Sequence, residues 1–244
     1  MIEKGHAIDV LDKGYVRYVD NFGTDLRIVE SARISYKSPS KGEEADKKLL
    51  HYLYKNLHTS PLEQCNITYN IKMPIFVMRQ FVRHRMFRLN EQSGRYTEFS
   101  DDFYFPKGWR PQDTKNKQGS IETDNWNPIV GSADKHSYGD CLIDITASQM
   151  FEDECHKCYT VYNKLIDSGI AKEMARMILP VNIYTEIYVN CDLNNLLKFF
   201  RLRLDAHAQW EMREYAKAMY DIFKELYPWT AEAYEEYSFE LVKK

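Results

Sequence analysis

The segment Arg83-His84-Arg85-Met86-Phe87-Arg88-Leu89-Asn90-Glu91-Gln92-Ser93-Gly94-Arg95-Tyr96 concentrates chemistry in fourteen residues. Five of its side chains can carry positive charge, and only Glu91 opposes them. Arg95 can clamp a phosphate with two parallel hydrogen bonds. Ser93-Gly94 lets backbone N–H groups approach an anion closely. Glu91 can accept from a ribose hydroxyl or a ring N–H. Together these are the tools for holding a nucleotide. The plainer alternative is a helix end decorated with solvated arginines, since cations are favoured near a helix C-terminus. Neither GxxxxGK[ST] nor GxGxxG occurs in the chain, so the usual phosphate loops for ATP or a nicotinamide dinucleotide are unsupported.

The rest of the chain does not share this basic character. Its 244 residues carry a net charge of −3, with 44% hydrophobic and 28% charged residues, as expected of a globular protein. A general nucleic-acid coat would need a broad basic face rather than one focal cluster. A reader of RNA or single-stranded DNA using the 18 tyrosines is the competing hypothesis, and the same charge count weighs against it. No apolar run approaches the length of a membrane span, and the N-terminus lacks the layout of a signal peptide. Five irregularly placed cysteines suit reduced thiols and a cytoplasmic protein, in a cell or in the host of a virus. Cys155-His156-Lys157-Cys158 lacks a second ligand pair, so no metal site is expected.

The elements that must position the segment follow from apolar spacing. Val16–Val19 and Leu26–Ile34 flank a turn at Asn21-Phe22-Gly23. Lys37–Glu44 is a loop. Leu49, Leu50, Leu53 and Leu57 recur at helical spacing over Ala45–Leu57. Cys65, Ile67, Tyr69, Ile71 and Met73 alternate with polar residues over Gln64–Met73, the pattern of a half-buried strand. Pro74 suits the first turn of a helix from Ile75 to about Phe87, so the cationic segment begins in its last turn and runs into a loop. The stretch from Ser100 to Ser132 is polar, and its residues 105–132 form an excursion. A long helix is expected over Lys135–Asp167, closed by Gly169, and a shorter one over Ala171–Leu179. Val181–Val189 alternates again. Asp192 can cap a helix whose apolar stripe is Leu193, Leu196, Leu197, Phe200 and Leu204. The last helix spans His207–Leu226 and stops before Pro228. Helix and strand mix without regular βαβ alternation, which predicts an α+β fold, a mostly antiparallel sheet flanked by helices.

Arg83-His84-Arg85, seven residues, then Ser93 resembles the RHRx₇S signature of flavin-dependent thymidylate synthases. Ala32-Arg33-Ile34-Ser35-Tyr36, His58-Thr59-Ser60-Pro61-Leu62-Glu63 and Leu202-Arg203-Leu204-Asp205-Ala206-His207-Ala208-Gln209 resemble further segments of that family, in the same order. The resemblance spans nearly the whole chain and implies a single domain over 1–244. It implies reductive methylation of dUMP to dTMP, with 5,10-methylenetetrahydrofolate as carbon donor and NADPH as reductant through FAD. It also implies a homotetramer with FAD between subunits, and a cationic segment that serves small-molecule phosphates rather than nucleic acid or membrane.

Residue by residue, the resemblance assigns dUMP to Gln80, Arg83, Glu91, Gln92, Ser93, Gly94, Arg95, Arg176 and Arg203. It assigns FAD to Ser60, Arg83, His84, Arg85 and Glu91, with Asn194 and Lys198 at positions that often contact flavin. His58 falls in the folate and flavin ring region. Arg203 is the catalytic candidate, facing the uracil edge, where a fixed cation stabilises charge developing on the ring. Ser93 has no base placed beside it by the sequence, so its expected role is binding rather than nucleophilic attack.

Overall fold

The computed structural model describes residues 2–123, 125–134 and 142–241. In chain order its elements are β1 (Ala7–Val10), β2 (Gly14–Phe22), α1 (Asp25–Arg33), α2 (Glu43–Lys55), a 3₁₀ turn (Ser60–Gln64), β3 (Asn66–Pro74) and α3 (Ile75–Phe81). There follow β4 (Arg88–Glu91), β5 (Ile129–Asp134), β6 (Leu142–Thr146), α4 (Ala147–Asp167), α5 (Lys172–Ala175), β7 (Tyr184–Asp192), α6 (Leu193–Arg203), α7 (Trp210–Leu226) and α8 (Pro228–Leu241). A five-stranded sheet runs β1-β2-β3-β7-β4, and β5 pairs with β6. The β1–β2, β2–β3, β4–β7 and β5–β6 pairs are antiparallel. The α+β class and antiparallel sheet expected from the sequence are what the structure contains.

The residues fall into two compact units. The first comprises the chain up to Met73, Val77–Glu91, and the residues from Glu186 on. Its core is built on β3, whose alternating Ile67, Tyr69, Ile71 and Met73 are all buried, as is Cys65 just before it. Tyr69 donates its hydroxyl to the Met219 carbonyl at 3.1 Å, and Tyr215 donates to the Lys72 carbonyl at 2.8 Å. These bonds let bulky phenols enter the core without leaving a polar atom stranded. Phe81, Phe199, Phe200 and Phe223 complete the apolar interior. Asp25, nearly buried, accepts from the N–H groups of Trp229 (2.9 Å) and Thr230 (3.2 Å). It thereby caps α8 from a distant part of the sequence.

The second unit comprises Pro74–Phe76 and Gln92–Thr185. Phe99, Phe103, Cys155 and Ile183 form its buried cluster, with Ile75, Phe105, Phe151, Tyr159 and Leu179 packed around them. Thr146 and Gln149 close a capping box at the start of α4. Among the described residues no helix is long and apolar enough to cross a membrane.

Several expected boundaries shift. The helix expected to reach Phe87 ends at Phe81, and the chain turns there through Arg83 N to Gln80 O (3.2 Å) and His84 N to Phe81 O (3.1 Å). Phe87 folds back so that its ring centroid lies 5.2 Å from Phe81 and 5.3 Å from Phe199. Its apolar character is spent on the core rather than on another helical turn. Arg88–Glu91, expected as loop, is a strand paired with Ile187–Asn190. The long helix begins at Ala147 and not at Lys135, because Leu142–Thr146 is a strand; 135–141 lie outside the described residues. Leu57, placed on the buried stripe of α2, is 55% exposed and takes a left-handed φ of 57°. Lys172–Ile178 breaks into one α turn and a 3₁₀ turn, and α8 begins at Pro228, where a helix was expected only to stop.

Candidate active site

The first unit gathers Gln80, Arg83, His84, Arg85 and Arg203. Gln80 lies in the last turn of α3, and the three RHR residues follow in the turn after it. Arg203 ends α6. Its Nε donates to His84 Nε2 at 2.9 Å, which fixes the histidine proton on Nδ1. Burial, and then the charge of Arg203, pull the His84 pKa from 6.5 to about 4. The ring is therefore a neutral acceptor near pH 7. Its orientation is set by an edge contact with Phe199, 4.8 Å between centroids. Burial also lowers the Arg203 pKa from its ordinary value, yet a guanidinium stays charged. Among the described residues only its Nε is engaged, so the terminal nitrogens can meet a ligand. Arg83 and Arg85 are exposed and pair with no carboxylate among the described residues.

Other candidates in this unit divide into open and occupied positions. Ser60 opens the 3₁₀ turn and lines a hollow of about 470 Å³ with Arg27, Glu30, Ser31, Ile34, Pro61 and Gln64. His58 is exposed, with its ring against Tyr52 at 5.8 Å. Lys198 is exposed on α6. Asn194 is 5% exposed, and its amide donates to Glu63 at 2.8 Å, tying α6 to the 3₁₀ turn. Glu91 ends β4 opposite Ile187, with an exposed side chain.

The second unit brings Gly94, Arg95 and Arg176 together. A Cβ on Gly94 would overlap the Phe99 ring and stand 3.2 Å from Arg176 Cδ. Here it is close packing, and not a left-handed backbone, that demands glycine. Arg95 Nε lies 3.3 Å from Glu173 on α5, one turn before Arg176. The Ser93 carbonyl accepts from Tyr96 N (3.0 Å) and Thr97 N (3.1 Å), and the Ser93 hydroxyl accepts from Arg95 N at 3.3 Å. The Arg95 N–H is thus bonded within the loop. Gln92 donates to Thr97 Oγ1 at 3.3 Å. No histidine or carboxylate bonds to the Ser93 hydroxyl among the described residues.

Elsewhere, buried Cys155 bonds through sulfur to Asn182 Oδ1 at 3.6 Å, inside α4. His156 is shared between Asp101 (3.6 Å) and Glu152 (3.9 Å). Sequence reasoning passed over Gln209 and Glu211. The amide of Gln80 donates to Gln209 Oε1, and Gln209 Nε2 donates to Glu211 Oε2 at 2.9 Å. The available signal was the Gln209 that closes the segment beginning at Leu202.

The first unit thus holds an oriented guanidinium beside a neutral histidine, and the second a pair of arginines around a glycine; each set suits an anionic, hydrogen-bonding small molecule. The family model described as "Thymidylate synthase complementing protein" matches residues 17–229. The flavin-dependent thymidylate synthase of Kosmotoga olearia is 42% identical over 232 residues, covering 95% of this chain and 94% of that one. That of Treponema denticola is 43% identical over 234 residues, covering 93% and 81%. A solved structure of the UMP/dUMP methylase PolB from Streptomyces cacaoi, bound with 5-Br dUMP, superposes with a TM-score of 0.74 at 27% identity, covering 95% of this chain and 98% of PolB. The chain belongs to the flavin-dependent thymidylate synthase family.

Proposed function

We propose that the protein reductively methylates dUMP to dTMP in dTMP biosynthesis. The balanced reaction takes dUMP, 5,10-methylenetetrahydrofolate, NADPH and a proton to dTMP, tetrahydrofolate and NADP⁺. FAD, when bound, supplies the hydride relay between NADPH and the transferred carbon. Exposed guanidinium groups at Arg83 and Arg85, the Lys198 ammonium and the Ser60 hydroxyl suit a pyrophosphate-bearing cofactor of this kind. His84 and Glu91 are its other candidate contacts.

The observation that carries the reading is the Arg203–His84 pair. A cation whose Nε is held at 2.9 Å, with its terminal nitrogens unbonded among the described residues, is preorganised to stabilise negative charge on the uracil ring as C5 reacts. Arg95 and Arg176 would neutralise the phosphate, with Gln92, Ser93 and Gly94 shaping the backbone beside it. Gln80, Arg83 and Glu91 would meet the rest of the nucleotide, and His58 the folate and flavin rings.

The family match runs through both compact units, which supports one functional domain over 1–244. Exposed Met86, Tyr96, Met174, Met177 and Leu202 offer apolar surface beside the site residues, which supports a homotetramer with FAD at subunit interfaces. The cytoplasm, where nucleotides and reduced folates are found, is the fitting location. The absorbance spectrum of the purified protein tests the reading. A flavin band that NADPH bleaches faster in the presence of dUMP supports it. A colourless protein that takes up no added FAD opposes it.

A further inference from the structure

Gln80 is tied at one end of its amide. Its Nε2 donates to Gln209 Oε1, and Gln209 Nε2 donates to Glu211 Oε2 at 2.9 Å. Glu211 lies in the first turn of α7 and is 3% exposed. All three residues belong to the same compact unit.

The direction of this chain follows from chemistry. A carboxylate has acceptors only, so Gln209 must turn its NH₂ toward Glu211. Its carbonyl oxygen then faces Gln80, which must answer with its own NH₂. Either amide alone could flip end for end. Linked to a carboxylate, both are locked, and the atom left to a ligand is Gln80 Oε1, an acceptor.

We propose that Glu211, acting through Gln209, is a positioning residue that sets Gln80 as a hydrogen-bond acceptor and so selects a donor on the nucleotide. This rests on the reading that Gln80 faces dUMP. Uracil offers N3–H as a donor, and deoxyribose offers the 3′-hydroxyl. The phosphate is largely ionised near pH 7 and is left to the arginines. Cytosine presents an acceptor at N3, so a locked acceptor would also repel dCMP.

Calorimetric dissociation constants for dUMP, 2′,3′-dideoxy-UMP and dCMP test the proposal on wild type, Glu211→Gln and Gln80→Ala. Wild type should bind dUMP about 5- to 10-fold more tightly than at least one of the analogues, the range expected for one hydrogen bond. In Glu211→Gln the lock is lost, because the new amide can donate as well as accept. That variant should bind dUMP several-fold more weakly and bring the same ratio close to one. A ratio that collapses for the dideoxy analogue puts the donor on the sugar, and one that collapses for dCMP puts it on the ring. A purely structural role would lower the melting temperature and leave both ratios where they were, and that result overturns the proposal. Should Glu211→Gln not fold, Gln209→Met breaks the relay with the carboxylate in place and carries the same expectation. Gln80→Ala separates the two levels: dUMP binding equal to wild type removes Gln80 from the nucleotide site. Weakened binding in that variant with unchanged ratios in Glu211→Gln keeps Gln80 and discards the relay.

Discussion

Arg203 donates from Nε to Nε2 of His84 at 2.9 Å, across 119 positions of sequence. The bond joins the end of α6 to the turn after α3 and, among the described residues, leaves the terminal nitrogens of the guanidinium without a hydrogen-bond partner. A lysine could not do this, because its single nitrogen cannot both donate to the histidine anchor and present a flat pair of donors. Arg203→Lys should therefore lose most turnover, on the order of 10²-fold, while retaining flavin. Steady-state dTMP formation alongside the flavin absorbance of the same preparation checks this. Near-normal turnover would show that any cation suffices.

His84 is held neutral so that it can accept. Its pKa is drawn from 6.5 to about 4 by burial first and by Arg203 second. Between those values the unfolded chain takes up a proton that the folded chain refuses. The His84 contribution to stability is complete above pH 6.5 and is lost as pH falls through about 4. Ring NMR at pH 6 should show a neutral imidazole protonated on Nδ1. An imidazolium at that pH would contradict the pairing.

Gly94→Ala should be costly although glycine is not needed there for backbone reasons. The added methyl meets the Phe99 ring and the Arg176 stem. Overpacking of this kind costs about 1–3 kcal/mol. It should also move Arg176, so dUMP affinity should fall together with the melting temperature. A variant with both quantities unchanged would show that the loop can shift freely.

Asp25 provides a test far from the chemistry. It accepts from Trp229 N, Thr230 N and the Thr230 hydroxyl at the start of α8. Burial raises its pKa, and these donors pull it back. Because the folded pKa is raised, the folded chain holds its proton more tightly, and this group's stabilisation declines as pH climbs past the ordinary carboxylate value. The cap itself persists, so Asp25→Ala should cost about 1–3 kcal/mol in urea unfolding with flavin spectra intact. A change below a few tenths of that range would mean that α8 is held by packing alone.

How far the sequence disclosed all this depends on the range of the signal. The alternation from Cys65 to Met73 maps onto β3 because one face of that strand is buried and the other polar. Asp192 caps α6 as expected, its carboxylate accepting from Asn195 N at 3.0 Å. Local periodicity failed where an apolar residue serves a distant partner: Phe87 reads as one more helical turn but packs on Phe199. Pro228 reads as a stop, though proline equally suits a first turn, and the cap that makes it a start is Asp25. In the site, the motif residues were recognisable by type and spacing. The bonds of Arg203 to His84 and Gln80 to Gln209 are tertiary and leave no local trace.

The central claim is the conversion of dUMP, and the most direct measurement is product. Purified protein loaded with FAD should be incubated with dUMP, 5,10-methylenetetrahydrofolate and NADPH, with Arg203→Ala in parallel, and nucleotides separated by chromatography. The account predicts dTMP in amounts that track NADPH consumed, and almost none from the variant. FAD-loaded wild type that consumes NADPH and forms no dTMP would contradict it.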